Sequence, residues 1–289
     1  MAKGGQVQIA ELLRDYWVGD LLGTGARSQI YAVKRRSDGY DFAVKFVQVR
    51  TAQDRRIVDH LENEFQVLQA VHNPKRQPSE FIIFPVEFRK VKSMLKLQAA
   101  YLVMERAGGR SLFDRRDYPL EDVLTIFRQA CHALQHIHSV GYVHADLKPQ
   151  QILVDDLKMI KMIDFGFAAP IGSKLDTSKG TFGYLAPEQA GGRLTAKTDV
   201  FNLGAALYWV LTGRNLPSIM PGRHDRSGFV PGEAVSIPPP SVLNPTVPEE
   251  LSEMVLRCCH PDGHARPTAQ ELKRYLYGLA LRLDYGAVA

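Results

Sequence analysis

Apolar residues follow two different periods along the chain, and the change falls near residue 104. Before it, the apolar runs are short and are separated by glycine-rich or basic turns, which is typical of strands. We predict strands at residues 16–22, 30–34, 42–47, 81–88 and 97–104. Residues 51–72 differ, because Leu61, Leu68 and Val71 recur there at helical spacing and predict one long helix.

The apolar segments after residue 104 are longer and have helical spacing. We predict helices at residues 120–139, 200–211, 251–259 and 269–283. The second of these is apolar on nearly all sides, which predicts a buried helix, and we expect Asp199 to cap its start. The stretch from Pro217 to Pro248 holds eight of the 17 prolines and is predicted to be mostly irregular.

This change of period predicts an α+β protein with a small β-rich part and a larger, mostly helical part. We expect an N-terminal extension at residues 1–15, a β-rich part with one long helix at 16–104, and a helical part at 105–289. A chain of 289 residues is long enough for one large domain or two lobes.

Composition narrows the class of protein without identifying a ligand. A hydrophobic content of 45% and a net charge of +5 suit a soluble globular protein with a mildly basic surface, and an anionic partner such as a nucleotide is the alternative. Arginines do not alternate with aromatic residues, so we expect no nucleic-acid partner. No apolar run reaches the length of a membrane helix, about 20 residues, and we expect a cytoplasmic protein.

Three cysteines are too few for a disulfide framework and fit a reducing compartment. Cys258 and Cys259, followed by His260 and His264, invite a zinc interpretation. Adjacent cysteines have poor chelate geometry and no second ligand pair stands elsewhere, so packing at a helix end is the favoured interpretation.

The residues with the most specific chemistry lie between Tyr142 and Asp164. Asp146, Lys148 and Gln151 share one short loop, and Asp164 follows in an Asp-Phe-Gly turn. Carboxylate and amide oxygens are ligands that Mg²⁺ prefers, and phosphoryl transfer is catalysed mostly by positioning and electrostatics. A polar turn between two strands is the plainer alternative for His-x-Asp alone, but the whole set is much more specific.

These motifs resemble the catalytic and metal-binding loops of the protein kinase superfamily, in the form found in its Ser/Thr branch, and the Gly183–Gln189 stretch resembles bacterial Ser/Thr kinases. The resemblance spans roughly residues 16–283 and implies a bilobal kinase fold that uses ATP with Mg²⁺, or with Mn²⁺ as the alternative, to phosphorylate Ser or Thr of a protein substrate. Asp146 would then orient the substrate hydroxyl, Lys148 would lie near the transferred phosphate, and Asp164 with Gln151 would hold the metal.

The β-rich part carries the residues that would bind ATP. Its Gly-rich turn opens a strand rather than a helix, which favours a kinase phosphate loop over a dinucleotide-binding turn. Lys45 interrupts an apolar strand, and Glu64 lies on the apolar face of the predicted helix, so we expect the two to pair, with Glu62 as the alternative partner. By resemblance, the residues that bind nucleotide are Leu22, Gly23, Thr24, Gly25, Ala26, Arg27, Ser28, Ile30, Ala43, Lys45, Glu64, Met104, Glu105 and Ala107.

Residues 180–188 resemble the end of a kinase activation segment. By that resemblance, Thr181 helps to place the substrate, Glu188 pairs with Arg266, and Asp199 anchors the catalytic loop.

Three residues depart from the family pattern. Ser28 replaces a glycine, Ala145 replaces an arginine that usually contacts an activation-segment phosphate, and Gln151 replaces the metal-binding asparagine. We therefore expect activity to depend little on phosphorylation of Thr177 or Ser178. A pseudokinase that binds nucleotide or a partner is the alternative function. A small-molecule kinase is disfavoured by the activation-segment motif, and regulation is expected to come from a separate protein.

Overall fold

The computed structural model describes residues 9–25, 27–75, 78–115, 117–174, 183–217, 223–225, 228–230 and 236–286. The chain forms two compact units. Unit 1 consists of Met1–Pro78, Ile83–Gly108 and Asp164–Phe167, and unit 2 consists of Ser79–Ile82, Gly109–Ile163 and Ala168–Ala289. The α+β class predicted from the sequence is confirmed, whereas the proposed domain boundary between residues 104 and 105 stays a prediction.

Unit 1 contains a five-stranded antiparallel sheet in the order β1-β2-β3-β5-β4. A short helix precedes the sheet and one long helix is inserted after the third strand. The elements are α1 (Ile9–Leu12), β1 (Tyr16–Thr24), β2 (Gln29–Arg35), β3 (Asp41–Gln48), α2 (Ala52–Val71), β4 (Pro85–Ser93) and β5 (Lys96–Glu105).

Helix α2 begins with a complete capping box. The Thr51 hydroxyl accepts a hydrogen bond from Asp54 N at 3.3 Å, and the Asp54 carboxylate accepts one from Thr51 N at 2.7 Å. This reciprocal pair satisfies backbone donors of the first turn and fixes where the helix starts. The apolar stripe predicted from the sequence is buried, and Glu64 is buried within it.

The strand predicted at residues 81–88 was placed too early. β4 starts at Pro85, while Phe81, Ile82 and Ile83 are buried without belonging to the sheet. A continuous apolar run cannot distinguish a strand from an irregular buried segment. The strand also extends further than expected, to Ser93, so that Lys90 and Lys92 lie in the strand rather than in a turn.

Unit 2 is mostly helical and carries short strand pairs near its loops. Its elements are β6 (Arg110–Ser111), α3 (Leu120–Ser139), β7 (Tyr142–Val143), β8 (Ile152–Val154), β9 (Ile160–Met162), β10 (Ala169–Pro170), α4 (Ala196–Thr212), β11 (Arg223–Asp225), β12 (Gly228–Val230), α5 (Pro240–Leu243), α6 (Glu249–Cys258) and α7 (Ala269–Gly286). Helix α4 is buried over most of its length, as its composition predicts. No helix in the described ranges is both long and apolar enough to cross a membrane.

The predicted cap of α4 was wrong. Thr195 is the N-cap, with its hydroxyl accepting from Lys197 N at 3.2 Å, and Asp199 lies inside the first turn. The apolar pattern begins only at Val200, so hydrophobic periodicity does not reveal that the polar residues before it form the first turn of the helix. Asp199 is thereby left to bond groups outside its own helix.

Candidate active site

The loop that follows β7 is anchored by Asp199. Its Oδ2 accepts from His144 N at 2.9 Å and its Oδ1 accepts from Ala145 N at 2.9 Å. His138 Nε2 lies 2.8 Å from the same Oδ2. Ala145 has a φ of 63°, a left-handed conformation that is uncommon for a residue with a Cβ. The buried carboxylate therefore holds a strained turn immediately before Asp146.

The side chain of Asp146 is held by the two other polar residues of its loop. Its Oδ2 accepts from Lys148 Nζ at 3.0 Å and from Gln151 Nε2 at 3.1 Å. Gln151 Oε1 in turn accepts from Lys148 N at 3.1 Å. The longer amide of Gln151 thus folds back across the loop, and the three candidate residues within unit 2 lie together.

Gln189 and Asn202 connect this loop to α4 and to the segment after residue 182. Gln189 Nε2 donates to Ala145 O, and Asn202 Nδ2 donates to Tyr184 O, both at 2.6 Å. Asn202 also donates to Gln189 Oε1 at 2.9 Å. Gln189 thus holds the backbone immediately before Asp146, and Asn202 holds Gln189 and the backbone at Tyr184. Sequence reasoning did not find these two amides.

Glu188 and Arg266 form the predicted ion pair. It is bidentate, with Nη1 to Oε1 at 2.7 Å and Nη2 to Oε2 at 2.9 Å. Burial alone would raise the pKa of Glu188, but the Arg266 guanidinium outweighs it and lowers that pKa below its usual range. Arg266 also donates to the backbone carbonyls of His260, Pro261 and Lys197. All five donors of the guanidinium are used, which fits a structural role.

In unit 1, Lys45 lies between two carboxylates. Its Nζ is 2.8 Å from Glu64 Oε2, as predicted, and 2.9 Å from Asp164 Oδ1. Burial opposes the charge of Lys45, yet the two carboxylates together raise its pKa above the ordinary value. Burial raises the pKa of Glu64 despite the nearby ammonium. The alternative partner, Glu62, instead pairs with Lys90 at 2.6 Å.

Helix α2 also binds the backbone of the Asp-Phe-Gly turn. Glu64 Oε1 accepts from Phe165 N at 3.3 Å, Asn63 Nδ2 donates to Gly166 O at 3.3 Å, and His60 Nδ1 lies 3.0 Å from the same oxygen. Asp164 has a φ of 65°. One face of α2 therefore holds this turn in a left-handed conformation, and only Glu64 among these helix residues was identified from sequence.

The Gly-rich turn is shorter than the sequence suggested, because β1 continues through Leu22 and Gly23 to Thr24. The turn is closed by a hydrogen bond from Gly25 N to Ser28 O at 2.8 Å. A Cβ on Gly25 would lie 2.6 Å from Ser28 Oγ, so a larger residue at this position would force the Ser28 hydroxyl to rotate away. Ala26 lies outside the described residues, as do Thr177, Ser178 and Thr181.

Arg27 ties this turn to the start of α2. Its guanidinium donates to Asp54 Oδ1 at 2.8 Å, to Thr51 Oγ1 at 3.4 Å and to Gln53 Oε1. The pKa of Asp54 is lowered, first by the hydrogen bond from Arg27 and then by backbone donors. The Gly-rich turn and the helix that carries Glu64 are thus joined by one side chain.

Replacing Arg27 with glutamine is expected to loosen the turn without unfolding unit 1. The pair is partly exposed, so we expect a stability loss of only about 0.5–1 kcal/mol. Amide hydrogen exchange at residues 23–28 should become faster. Arg35→Gln, which breaks the exposed pair with Asp38, is the matched control and should leave exchange in the turn unchanged. Equal exchange in both variants would contradict the proposed link.

The remaining nucleotide candidates lie on neighbouring strands. Ala43 and Met104 are paired across β3 and β5, and Lys45 pairs with Ile30 of β2. Glu105 N donates to Phe84 O at 2.9 Å, so we assign any adenine contact of Glu105 to its carbonyl oxygen. The roles of these residues, and of Ala107, stay predictions.

The two residues predicted to bind metal belong to different units, and each carries an oxygen of the kind that Mg²⁺ takes. Asp164 and Gln151 offer carboxylate and amide oxygens, the hard ligands this ion takes, although Gln151 Oε1 already accepts one hydrogen bond. Within the described ranges, no group of three His, Cys, Asp or Glu residues could hold a metal ion.

Comparison with known proteins gives consistent results. A model of the protein kinase domain matches residues 16–277. The chain is 28% identical to the serine/threonine-protein kinase PknB of Mycobacterium leprae over 89% of the chain and 42% of that relative. It is 28% identical to PrkC of Bacillus subtilis, over 89% and 39%, and 31% identical to the DNA damage-responsive kinase RqkA of Deinococcus radiodurans, over 80% and 38%. The chain therefore spans less than half the length of these curated relatives.

Proposed function

Since the chain belongs to the protein kinase domain family, as its motifs predicted, we propose that it transfers the γ-phosphate of Mg-ATP to Ser or Thr hydroxyls of a protein substrate. The named relatives are serine/threonine-protein kinases, which supports this specificity. The observation that carries the proposal is Lys45, whose side chain is only 14% exposed and is bonded to both Glu64 and Asp164. Replacing a buried ion pair with apolar residues of similar size often leaves a protein equally stable. Folding alone therefore does not explain why a lysine stands between two carboxylates here.

In this mechanism each residue acts through charge or position. Lys45 contacts the nucleotide phosphates, and Glu64 keeps its ammonium in place. Asp146 accepts the proton or orients the attacking hydroxyl, and its bond with Lys148 keeps a positive charge close to that position. Mg²⁺, held through Asp164 and Gln151, would neutralise phosphate charge. Such preorganised charges are the main source of catalysis in phosphoryl transfer.

Gln151 supports the alternative, a nucleotide-binding protein without efficient catalysis. Its amide donates to Asp146 Oδ2, the oxygen that also binds Lys148. An amide shifted by one methylene relative to asparagine displaces a metal-ligating oxygen, and an error of about 1 Å in a catalytic group can cost about 100-fold in rate. Cytoplasmic location and a separate regulatory protein stay predictions.

Phosphate transfer from labelled ATP tests the proposal directly. The assay uses Mg²⁺ and then Mn²⁺, with the chain itself and a basic protein as acceptors. We expect transfer to fall by about 100- to 10,000-fold in Asp146→Asn, the range that loss of a general base costs. ATP binding should be retained in that variant.

The Gln151→Asn variant decides between the two functions. If the wild-type chain binds ATP without transferring phosphate and the variant transfers it, the extra methylene is the cause and the alternative holds for the natural chain. Transfer by wild type that survives in Asp146→Asn would contradict the role given to that carboxylate.

A further inference from the structure

The hairpin between β4 and β5 ends in two apolar residues that contact almost nothing. Met94 and Leu95 are 99% and 95% exposed, higher than any other large apolar side chain in the described ranges. Ser93 pairs with Lys96, so these two residues form the whole loop. Exposure of this degree at the end of a projecting hairpin makes the tip convex.

The backbone of this loop is unsuited to its residues. Met94 has a φ of 46° and Leu95 a φ of 69°, so both central positions are left-handed, as in a type I′ turn. Such turns strongly favour Asn-Gly, because residues with a larger Cβ substituent are strained there. Folding gains nothing from methionine and leucine at these positions, which points to a role outside folding.

Cations surround the apolar tip and acidic residues are absent from it. From Phe88 to Met104 the chain carries Arg89, Lys90, Lys92 and Lys96 and no Asp or Glu. Arg89 is paired with Glu87 and Lys90 with Glu62. Within the part of unit 1 that the structure describes, Lys92 and Lys96 have no carboxylate within ion-pair distance, and both are exposed. No ion pair within that part of unit 1 therefore competes with an external anionic partner for these two lysines.

We propose that this basic hairpin tip, Lys92–Lys96, is a peripheral binding site for an anionic lipid surface. A convex tip of two side chains buries little area against a flat protein, whereas a bilayer interface accepts small apolar groups between its headgroups. Lysines beside such groups lie at the level of the lipid phosphates and are attracted by anionic headgroups. Both features of the tip are thus explained by one ligand chemistry.

The structure suggests a variant that removes the apolar tip and improves the turn. Met94→Asn combined with Leu95→Gly supplies the residues that a type I′ turn prefers. We expect a higher midpoint of thermal unfolding than wild type, together with at least about a tenfold loss of binding to vesicles that contain phosphatidylserine. Any loss of binding would then not be the result of misfolding.

The contribution of the two lysine charges to vesicle binding is tested with a separate variant. Lys92→Gln with Lys96→Gln should weaken binding to the same vesicles by about 30-fold, since each lysine near an anionic surface contributes about fivefold. Leu157→Ser removes an apolar side chain that is 83% exposed in unit 2 and should leave vesicle binding unchanged. Raised salt should weaken the binding of wild type.

Sedimentation with vesicles of phosphatidylcholine, with and without phosphatidylserine, measures these effects on the full chain. Binding of wild type only to the anionic vesicles, lost in both double variants and kept in Leu157→Ser, supports the proposal. A wild-type chain that ignores anionic vesicles, or one whose binding survives Met94→Asn with Leu95→Gly, overturns it and leaves the tip to a protein partner. Neither outcome depends on kinase activity.

Discussion

Replacing Lys45 with methionine is expected to abolish measurable phosphate transfer and to destabilise unit 1. The methylene chain of lysine is largely preserved in methionine, so the change removes mainly the ammonium. Glu64, only 1% exposed, then loses the cation 2.8 Å from it. Removing one partner of a buried ion pair costs about 3–5 kcal/mol, so we expect an activity loss and a lower free energy of unfolding in the same variant.

The pH dependence of stability identifies the carboxylate as the cause. Burial already raises the pKa of Glu64, and without Lys45 that pKa must rise further. A carboxyl group with a raised pKa in the folded state favours the protonated form. Relative to wild type, the Lys45→Met variant should therefore be most stable in acid. Its free energy of unfolding should fall as the pH rises above about 4, where the glutamate of the unfolded chain ionises.

Lys34→Met is the matched control for this experiment. Lys34 lies on β2 and pairs with Asp41 at 3.8 Å, with both side chains half exposed. We expect its stability and pH profile to follow wild type, because exposed pairs contribute little. A Lys45→Met variant that keeps wild-type stability at neutral pH would contradict the account of Lys45 as the compensating charge.

The second large effect is expected from Asp199→Asn. The carboxylate accepts from two backbone amides with its two oxygens, whereas an asparagine has only one oxygen to offer. One buried backbone N–H of the Asp146 loop then faces the NH₂ group of the asparagine and loses its acceptor. This loss should lower the free energy of unfolding by about 1–3 kcal/mol. The strained turn at Ala145 should relax, and the resulting displacement of Asp146 should lower kcat by about 100-fold.

Two readouts separate this positioning role from a general loss of fold. The KM for ATP should change less than kcat, since Lys45 and the Gly-rich turn belong to the other unit. Asp262→Asn is the matched control: the exposed Asp262 carboxylate accepts from His264 N with one oxygen, which asparagine retains, so both parameters should stay unchanged. If kcat of Asp199→Asn equals that of wild type, the buried carboxylate does not position Asp146.

The sequence alone identified charged residues that stand at positions where the surrounding pattern is apolar. A lysine in an apolar strand and a glutamate on an apolar helix face are both costly unless paired, and that cost predicted the Lys45–Glu64 pair. The Glu188–Arg266 pair came from the resemblance and is likewise present.

The residues that were missed act through the backbone of distant segments. His138, Gln189 and Asn202 bond groups of the Asp146 loop or its neighbours, and His60 and Asn63 bond the turn at Asp164. A polar side chain on a helix looks the same in sequence whether water or a buried carbonyl satisfies it. The start of β4 and the cap of α4 were misplaced for a related reason, since periodicity reports burial rather than hydrogen bonding.

The four residues Asp164–Phe167 belong to unit 1 although the chain on both sides of them belongs to unit 2. The rest of unit 1 has been synthesised once Gly108 is added, while the carboxylate that completes the Lys45 cluster is added much later. At about 5–20 residues per second, several seconds separate the two events. A nascent chain or a fragment that ends before Asp164 therefore contains the residues of the sheet and of the long helix. In it, Lys45 can pair with Glu64 but lacks the carboxylate of Asp164. Newly made molecules pass through this incomplete state before any of them can acquire the full charge arrangement.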